Sequence, residues 1–107
     1  MENDRELLEL AAKAAGIVHE GFDEDEGRDV WWLPDLSRYD SWNPLDDDGD
    51  ALRLAVRLGI QIDPRDPETR AFGPVGDRID EYHKPDAFFA TRRAIVRAAA
   101  EIGRAME

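Results

Sequence analysis

Along the first sixteen residues, Leu7, Leu8, Ala11, Ala14 and Ala15 recur at intervals of three and four, while Arg5, Glu6, Glu9 and Lys13 fall between them. That period predicts an amphipathic helix from Asn3 to Gly16, with Asn3 or Asp4 as N-cap, acids in the first turn and Gly16 as the left-handed stop. The pattern then changes. Ile17-Val18-His19-Glu20-Gly21-Phe22 and Val30-Trp31-Trp32-Leu33 are β-rich runs on either side of Asp23-Glu24-Asp25-Glu26-Gly27-Arg28-Asp29. They predict a β-hairpin with a long acidic tip. Within the turn-rich stretch that follows, Arg38-Tyr39-Asp40-Ser41-Trp42 predicts a short third strand ahead of Asn43-Pro44.

The tract Asp46-Asp47-Asp48-Gly49-Asp50 immediately precedes Ala51 to Gly59, which has helical spacing. Carboxylates at a helix start accept unpaired backbone N–H groups and complement the positive end of the dipole, and Gly59 supplies the stop. Ile60-Gln61-Ile62 reads as a short strand ended by Pro64. Residues 63–77 carry Pro64, Pro67, Gly73, Pro74 and Gly76, which predicts a loop with a short extended piece at Arg70-Ala71-Phe72. Arg78 to His83 reads as a last strand. From Asp86 nearly to Met106 the pattern is helical, with Phe88, Phe89, Ile95, Val96, Ala99, Ile102 and Met106 as the buried stripe and Arg93, Arg97, Glu101 and Arg104 opposite. No internal repeat interrupts this order. It predicts an α+β fold, a three-helix α/β/α sandwich around a small, mainly antiparallel sheet, as one domain over residues 1–107.

Composition narrows the function classes. With 107 residues, 42% of them hydrophobic, the chain can build one modest core and is too apolar to be disordered throughout. Its 25 acidic side chains against 14 basic ones give a net charge of -11, which opposes direct binding to nucleic acid or anionic lipid. No apolar run approaches the ~20 residues of a membrane helix, and Met1 to Glu6 lacks the basic start and apolar stretch of an export signal, so a cytoplasmic protein is expected. The absence of cysteine excludes disulfides and thiolate zinc sites.

Candidate chemistry is sparse. The aspartate tract invites a calcium reading, but with Gly49 at the sixth position of an EF-hand loop the first position is Pro44 and the twelfth Ala55, so two ligands are missing. Capping by Asp46 or Asp47 is the better account. His19 and His83 fall on different strands amid carboxylates, yet no Cys nucleophile, serine elbow, His-x-x-x-His pair or phosphate-cradling glycine loop accompanies them. No catalytic role, metal or cofactor is expected. Of Trp31-Trp32, strand alternation turns one indole into the core and the other outward, to be buried under a second layer or left as an exposed anchor; Trp42 reads as a lid on the core.

Two charged features invite a binding role. Asp23, Glu24, Asp25, Glu26 and Asp29 at the hairpin, with Asp47, Asp48 and Asp50 as a second patch, imitate a nucleic-acid backbone and suit a basic groove on another protein, although repeated like charges also mark a solvated loop. Arg92, Arg93, Arg97 and Arg104 form a basic stripe on the last helix. It suits a homodimer through the acids of a second copy, a small ligand such as a signalling nucleotide held by Arg92, Arg93 and Arg97, or an ordinary solvent face with pairs such as Arg97 and Glu101.

Asp4 to Gly16, the segment Trp42-Asn43-Pro44-Leu45-Asp46-Asp47-Asp48-Gly49-Asp50-Ala51-Leu52-Arg53-Leu54-Ala55, and Ala90 to Gly103 together resemble small bacteriophage and prophage proteins of the phage ABA-sandwich domain type, over the whole length and in order. The resemblance implies an α/β/α sandwich from a phage accessory gene, acting in a bacterial cytoplasm, with no activity or catalytic residues common to the family. Segments 23 to 29 and 63 to 77 depart from the family's usual pattern. The resulting expectation is a non-enzymatic phage protein that binds and inhibits a host protein, such as a component of a CRISPR complex or another antiviral system. Asp23, Glu24, Asp25, Glu26, Asp29, Asp47, Asp48, Asp50 and Trp32 are its contact residues. A small-ligand module and a homo-oligomeric scaffold are the alternatives.

Overall fold

Each helix begins on a side chain that accepts backbone N–H groups. In the computed structural model, which describes residues 3–74 and 78–106, Asn3 caps α1 (Asp4–Ala15). Its side-chain oxygen accepts the Glu6 amide at 2.9 Å, and Glu6 accepts the Asn3 amide in return at 3.4 Å, a capping box. Asp47 caps α2 (Asp48–Leu58) through the Asp50 amide at 2.8 Å, and Asp86 caps α3 (Ala87–Arg104) through the Phe89 amide at 2.7 Å. Each such cap contributes about 1 kcal/mol. Gly16 and Gly59, at φ 72° and 67°, close α1 and α2 in the left-handed conformation that disfavours other residues.

The strands form two antiparallel sheets. The first contains β1 (Val18–Asp23), β2 (Arg28–Leu33) and β3 (Arg38–Asp40), in that order; the second contains β4 (Gln61–Asp63), β5 (Glu68–Phe72) and β6 (Arg78–Tyr82). The protein is thus α+β with three helices, as the sequence pattern predicts, but its strands do not share the single sheet expected. Each set of three pairs through short local connections, and α2 separates the two sets along the chain. The loop predicted over 63–77 is corrected in part, since β5 is the central strand of the second sheet; residues 75–77 lie outside the described residues. Pro64, Pro67 and Pro74 flank the strands, so none has to donate to the ladder.

Helices α1 and α3 pack most extensively against each other, and small side chains permit it. Ala11, Ala12 and Ala15 of α1 and Ala94, Ala98, Ala99, Ala100 and Gly103 of α3 are all buried. A Cβ at Gly103 would overlap the backbone carbonyl oxygen of Leu10. Around this seam, Leu7, Trp31, Leu33, Trp42, Leu45, Leu54, Ile60, Ile95 and Val96 complete one contiguous core. Three residues of the predicted α3 stripe, Phe88, the half-buried Phe89 and Met106, lie outside it. Phe88, 70% exposed, sits in the first turn on the rim of a groove beside Leu52 and Ile62, and Met106, 49% exposed, follows the last turn.

Three of the four arginines of the α3 stripe reach other elements, while Arg104 pairs with Glu101 on its own helix. Arg92 donates to the Leu45 carbonyl at 2.8 Å and pairs with Asp48 at 2.8 Å. Arg93 pairs with Asp4 at 3.1 Å and with Glu81 at 3.5 Å, and Arg97 reaches the same Glu81 at 2.5 Å and the Asp80 carbonyl at 3.3 Å. The stripe therefore ties α3 to the entry of α2, the start of α1 and strand β6. A second tie is neutral: the hydroxyl of Thr69, fully buried on β5, lies 2.7 Å from that of Thr91 on α3 and 3.0 Å from His83 Nε2. No helix among the described residues is long and apolar enough to cross a membrane.

Glycine inside a helix normally costs about 1 kcal/mol relative to alanine, so an alanine at a permissive position would stabilise α3. At Gly103 the sign should reverse. Gly103→Ala forces the two helices apart and is expected to lower unfolding free energy by about 1–3 kcal/mol. Urea denaturation checks this, and a gain in stability would contradict the close approach.

Candidate functional site

The acidic hairpin is held by its own carboxylates. Asp23 accepts the amides of Asp25 and Glu26 at 2.9 and 3.2 Å, folding the tip into an Asx-type turn. Glu26 pairs with Arg28 at 2.6 Å, and Asp29 lies 2.9 Å from His19 Nε2 across the strand pair. Glu24 and Asp25 differ. Both are exposed, and among the described residues neither carboxylate has a partner. Of the five hairpin acids singled out by sequence, two are thus free for an external contact and three shape or brace the tip.

The base of the tip is clamped to β3. Arg28 bridges Glu26 and Asp40, and Arg38 reaches Asp40 at 3.1 Å. The Ser41 amide, then the Arg28 guanidinium, hold the Asp40 carboxyl below the usual carboxylate range, while Glu26 and Asp40 raise Arg28. The hairpin consequently projects from a braced sheet.

Strand alternation separates the two tryptophans. Trp31 is in the core, 5.1 Å from Trp42 in an edge-on arrangement, and the His19 ring lies 4.7 Å from it. Trp42 is buried, as a lid would be. Trp32 faces the other way, half-buried, opposite Val18 on one side and Tyr39 on the other, with its ring 4.9 Å from Tyr39. Val18 and Tyr39 are 51% and 60% exposed, so an apolar row crosses the outer face of the first sheet. Val18 and Tyr39 were not among the candidates from sequence, because only the register of three paired strands brings them beside Trp32.

The second acidic patch is used differently. Asp47 is the α2 cap, and Asp48 pairs with Arg92. Asp50, only 8% exposed, accepts the Asn43 amide at 2.9 Å and pairs with Arg53 at 2.7 Å. These acids close the start of α2, and Asp50 drops out of the exposed patch altogether. Arg92, Arg93 and Arg97, the alternative ligand-binding set, are engaged within the chain as described above.

Thr69, His83 and Asp66 follow the order of hydroxyl, imidazole and carboxylate known from hydrolases, with His83 Nδ1 3.8 Å from Asp66. The hydroxyl is the wrong group for chemistry here. It is fully buried and shared with Thr91, so no substrate atom can reach it, and the arrangement serves as a tie between β5 and α3. Among the described residues, no group of three or more His, Cys, Asp or Glu side chains is placed to hold a metal ion. A cleft of about 620 Å³ lies between the inner face of the first sheet and the first turns of α1 and α2.

Compared with known proteins, the chain matches no family model, and no curated protein or solved structure is significantly similar to it.

The depressed Asp40 carboxyl links folding to pH. Because its folded-state value lies below that of the unfolded chain, its contribution is complete above the ordinary Asp range and is lost as pH falls through the folded value. Asp40→Asn is therefore expected to flatten the decline of unfolding free energy below about pH 4. Urea titrations of both proteins across that range provide the check, and parallel profiles would contradict it.

Proposed function

We propose that this chain is a non-enzymatic phage accessory protein that binds and inhibits a host protein in the bacterial cytoplasm, through the first sheet and its acidic hairpin. One observation carries the reading: the first sheet bears Glu24 and Asp25 without partners at its hairpin tip and, toward the other end of the same strand pair, a row of exposed Val18 and Tyr39 with half-buried Trp32 between them, whereas the acids around α2 and β6 are drawn into contacts within the chain. An aromatic and aliphatic patch bordered by charge is the composition of a specific protein interface, and Trp and Tyr are common anchors there. Closely spaced carboxylates steer toward a basic surface and occupy positions where it would hold nucleic-acid phosphates. The partner of that chemistry is a nucleic-acid-binding component of an antiviral system, such as a CRISPR complex. The phage ABA-sandwich resemblance supports the setting.

The alternatives built on Arg92, Arg93 and Arg97, a ligand site or a homodimer, have less support because those side chains are engaged inside the fold.

Affinity capture from a host lysate with active defence systems tests the proposal. The wild-type chain should retain a basic, nucleic-acid-binding protein. Glu24→Lys with Asp25→Lys, and separately Tyr39→Ala, should each reduce its recovery at least tenfold. Equal recovery with all three proteins would refute the assignment to this surface.

A further inference from the structure

A second group of apolar side chains stands in water where α2 and α3 begin. Leu52 and Val56, one turn apart on α2, are 59% and 74% exposed. Each is two positions from the buried Leu54, which at 3.6 residues per turn puts both on the side of the helix away from the core. The chain cannot cover them without rolling α2 and exposing Leu54 instead. Leu52 shares with the exposed Phe88 a groove of about 450 Å³, walled further by Ala51, Ile62, Pro64 and Ile95. Asp48 and Arg92, the charged side chains of its lining, pair with each other at 2.8 Å. A continuous apolar face of this kind, with its nearest charges neutralised, marks an interaction surface.

The charge along α2 selects what covers it. Exposed Asp46, Asp47 and Asp48 stand at its start, and Arg57 lies in its last turn. The Arg57 side chain, tied to the Ala15 carbonyl at 2.8 Å and to Asp35, remains 38% exposed. Two copies laid antiparallel across Leu52 and Val56 bring the acidic start of each α2 beside the Arg57 end of the other. That arrangement also opposes the two helix dipoles and keeps the two aspartate tracts at opposite ends of the contact. A protrusion, Phe88, and a recess, the groove, lie on the same patch, which is the condition for a self-complementary two-fold contact. The first sheet fails this condition. Among the described residues Glu20, Glu24 and Asp25 lie on it without partners, so two such faces of a chain of net charge -11 repel each other.

We propose that a second copy of this chain covers the α2 face, forming a two-fold dimer in which the α2 helices run antiparallel. Leu52 meets Val56 of the other copy, and Phe88 of each copy enters the groove of the other. The contact leaves the arginines of α3 in their own chain and the first sheet free, so it stands independently of host binding through the hairpin.

Sedimentation equilibrium of the full chain from about 5 to 500 µM tests this. The wild-type chain should dimerise reversibly with a dissociation constant of about 100 µM or tighter. Val56→Glu and Phe88→Ala, both at side chains mostly in water, should each weaken the dimer at least tenfold with the thermal midpoint of the dilute protein retained. Tyr39→Ala, on the first sheet, should dimerise like wild type. Because the chain has no cysteine, oxidising an equal mixture of Leu52→Cys and Val56→Cys proteins reads the orientation, and the mixed disulfide should exceed either self-linked product. The proposal is overturned if the wild type stays monomeric to the highest concentration, if both Val56→Glu and Phe88→Ala dimerise like wild type, if Tyr39→Ala abolishes the dimer, or if self-linked products dominate.

Discussion

Everything else in this fold is arranged around the close approach of α1 and α3. Alanine and glycine at the seam bring the two backbones near enough that Gly103 has no room for a methyl group over Leu10. Interaxial distance follows the size of the side chains at the contact, so this spacing was set when small residues were placed there. The larger apolar side chains then fill the flanks, and α3 becomes the platform on which the second sheet and the entry to α2 are fixed. A chain of this length buries few large residues. It compensates with polar ties at defined points, Thr69 to Thr91, Arg97 to Glu81 and Arg92 to Leu45.

Those ties change what the net charge of -11 means. Much of the acidity along α2 and β6 is met by arginines from the helices, within the chain and partly out of water. Half-buried pairs contribute little net stability when intact, yet removing one partner leaves a costly charge behind. Charge is thereby sorted. Acids that hold the structure together face arginines or backbone amides, and among the described residues Glu24 and Asp25 at the tip of β1 and β2, with Glu20 on β1, have no such partner. The braced base of that hairpin, through Arg28, Asp40 and Arg38, keeps the tip acids on a defined projection.

Local chemistry was the part most legible in the sequence. Asn3, Asp47, Asp86, Gly16 and Gly59 act where a helix end needs an acceptor or a left-handed residue, and each depends only on its neighbours along the chain. The sequence around strand β5 predicts mostly loop because proline and glycine crowd around it, and only pairing with β4 and β6 makes Glu68 to Phe72 a central strand. The division into two sheets, the engagement of Arg93 and Arg97 by Glu81, and the alignment of Val18 and Tyr39 with Trp32 all arise from contacts between distant segments. Hydrophobic period gives a residue's face but not the partner opposite, so the sequence pattern puts Arg97 on a solvent face and does not distinguish Tyr39.

The claim that the α1 and α3 seam underlies the fold makes a statement about the order in which the molecule opens. Native-state hydrogen exchange measured against denaturant resolves that order amide by amide. Central amides of α1 and α3 should exchange together, only through global unfolding, while those of β1 and β2 open at lower free energy with the helices still formed. Exchange of α1 or α3 through a smaller opening, with β1 and β2 still protected, would contradict the account.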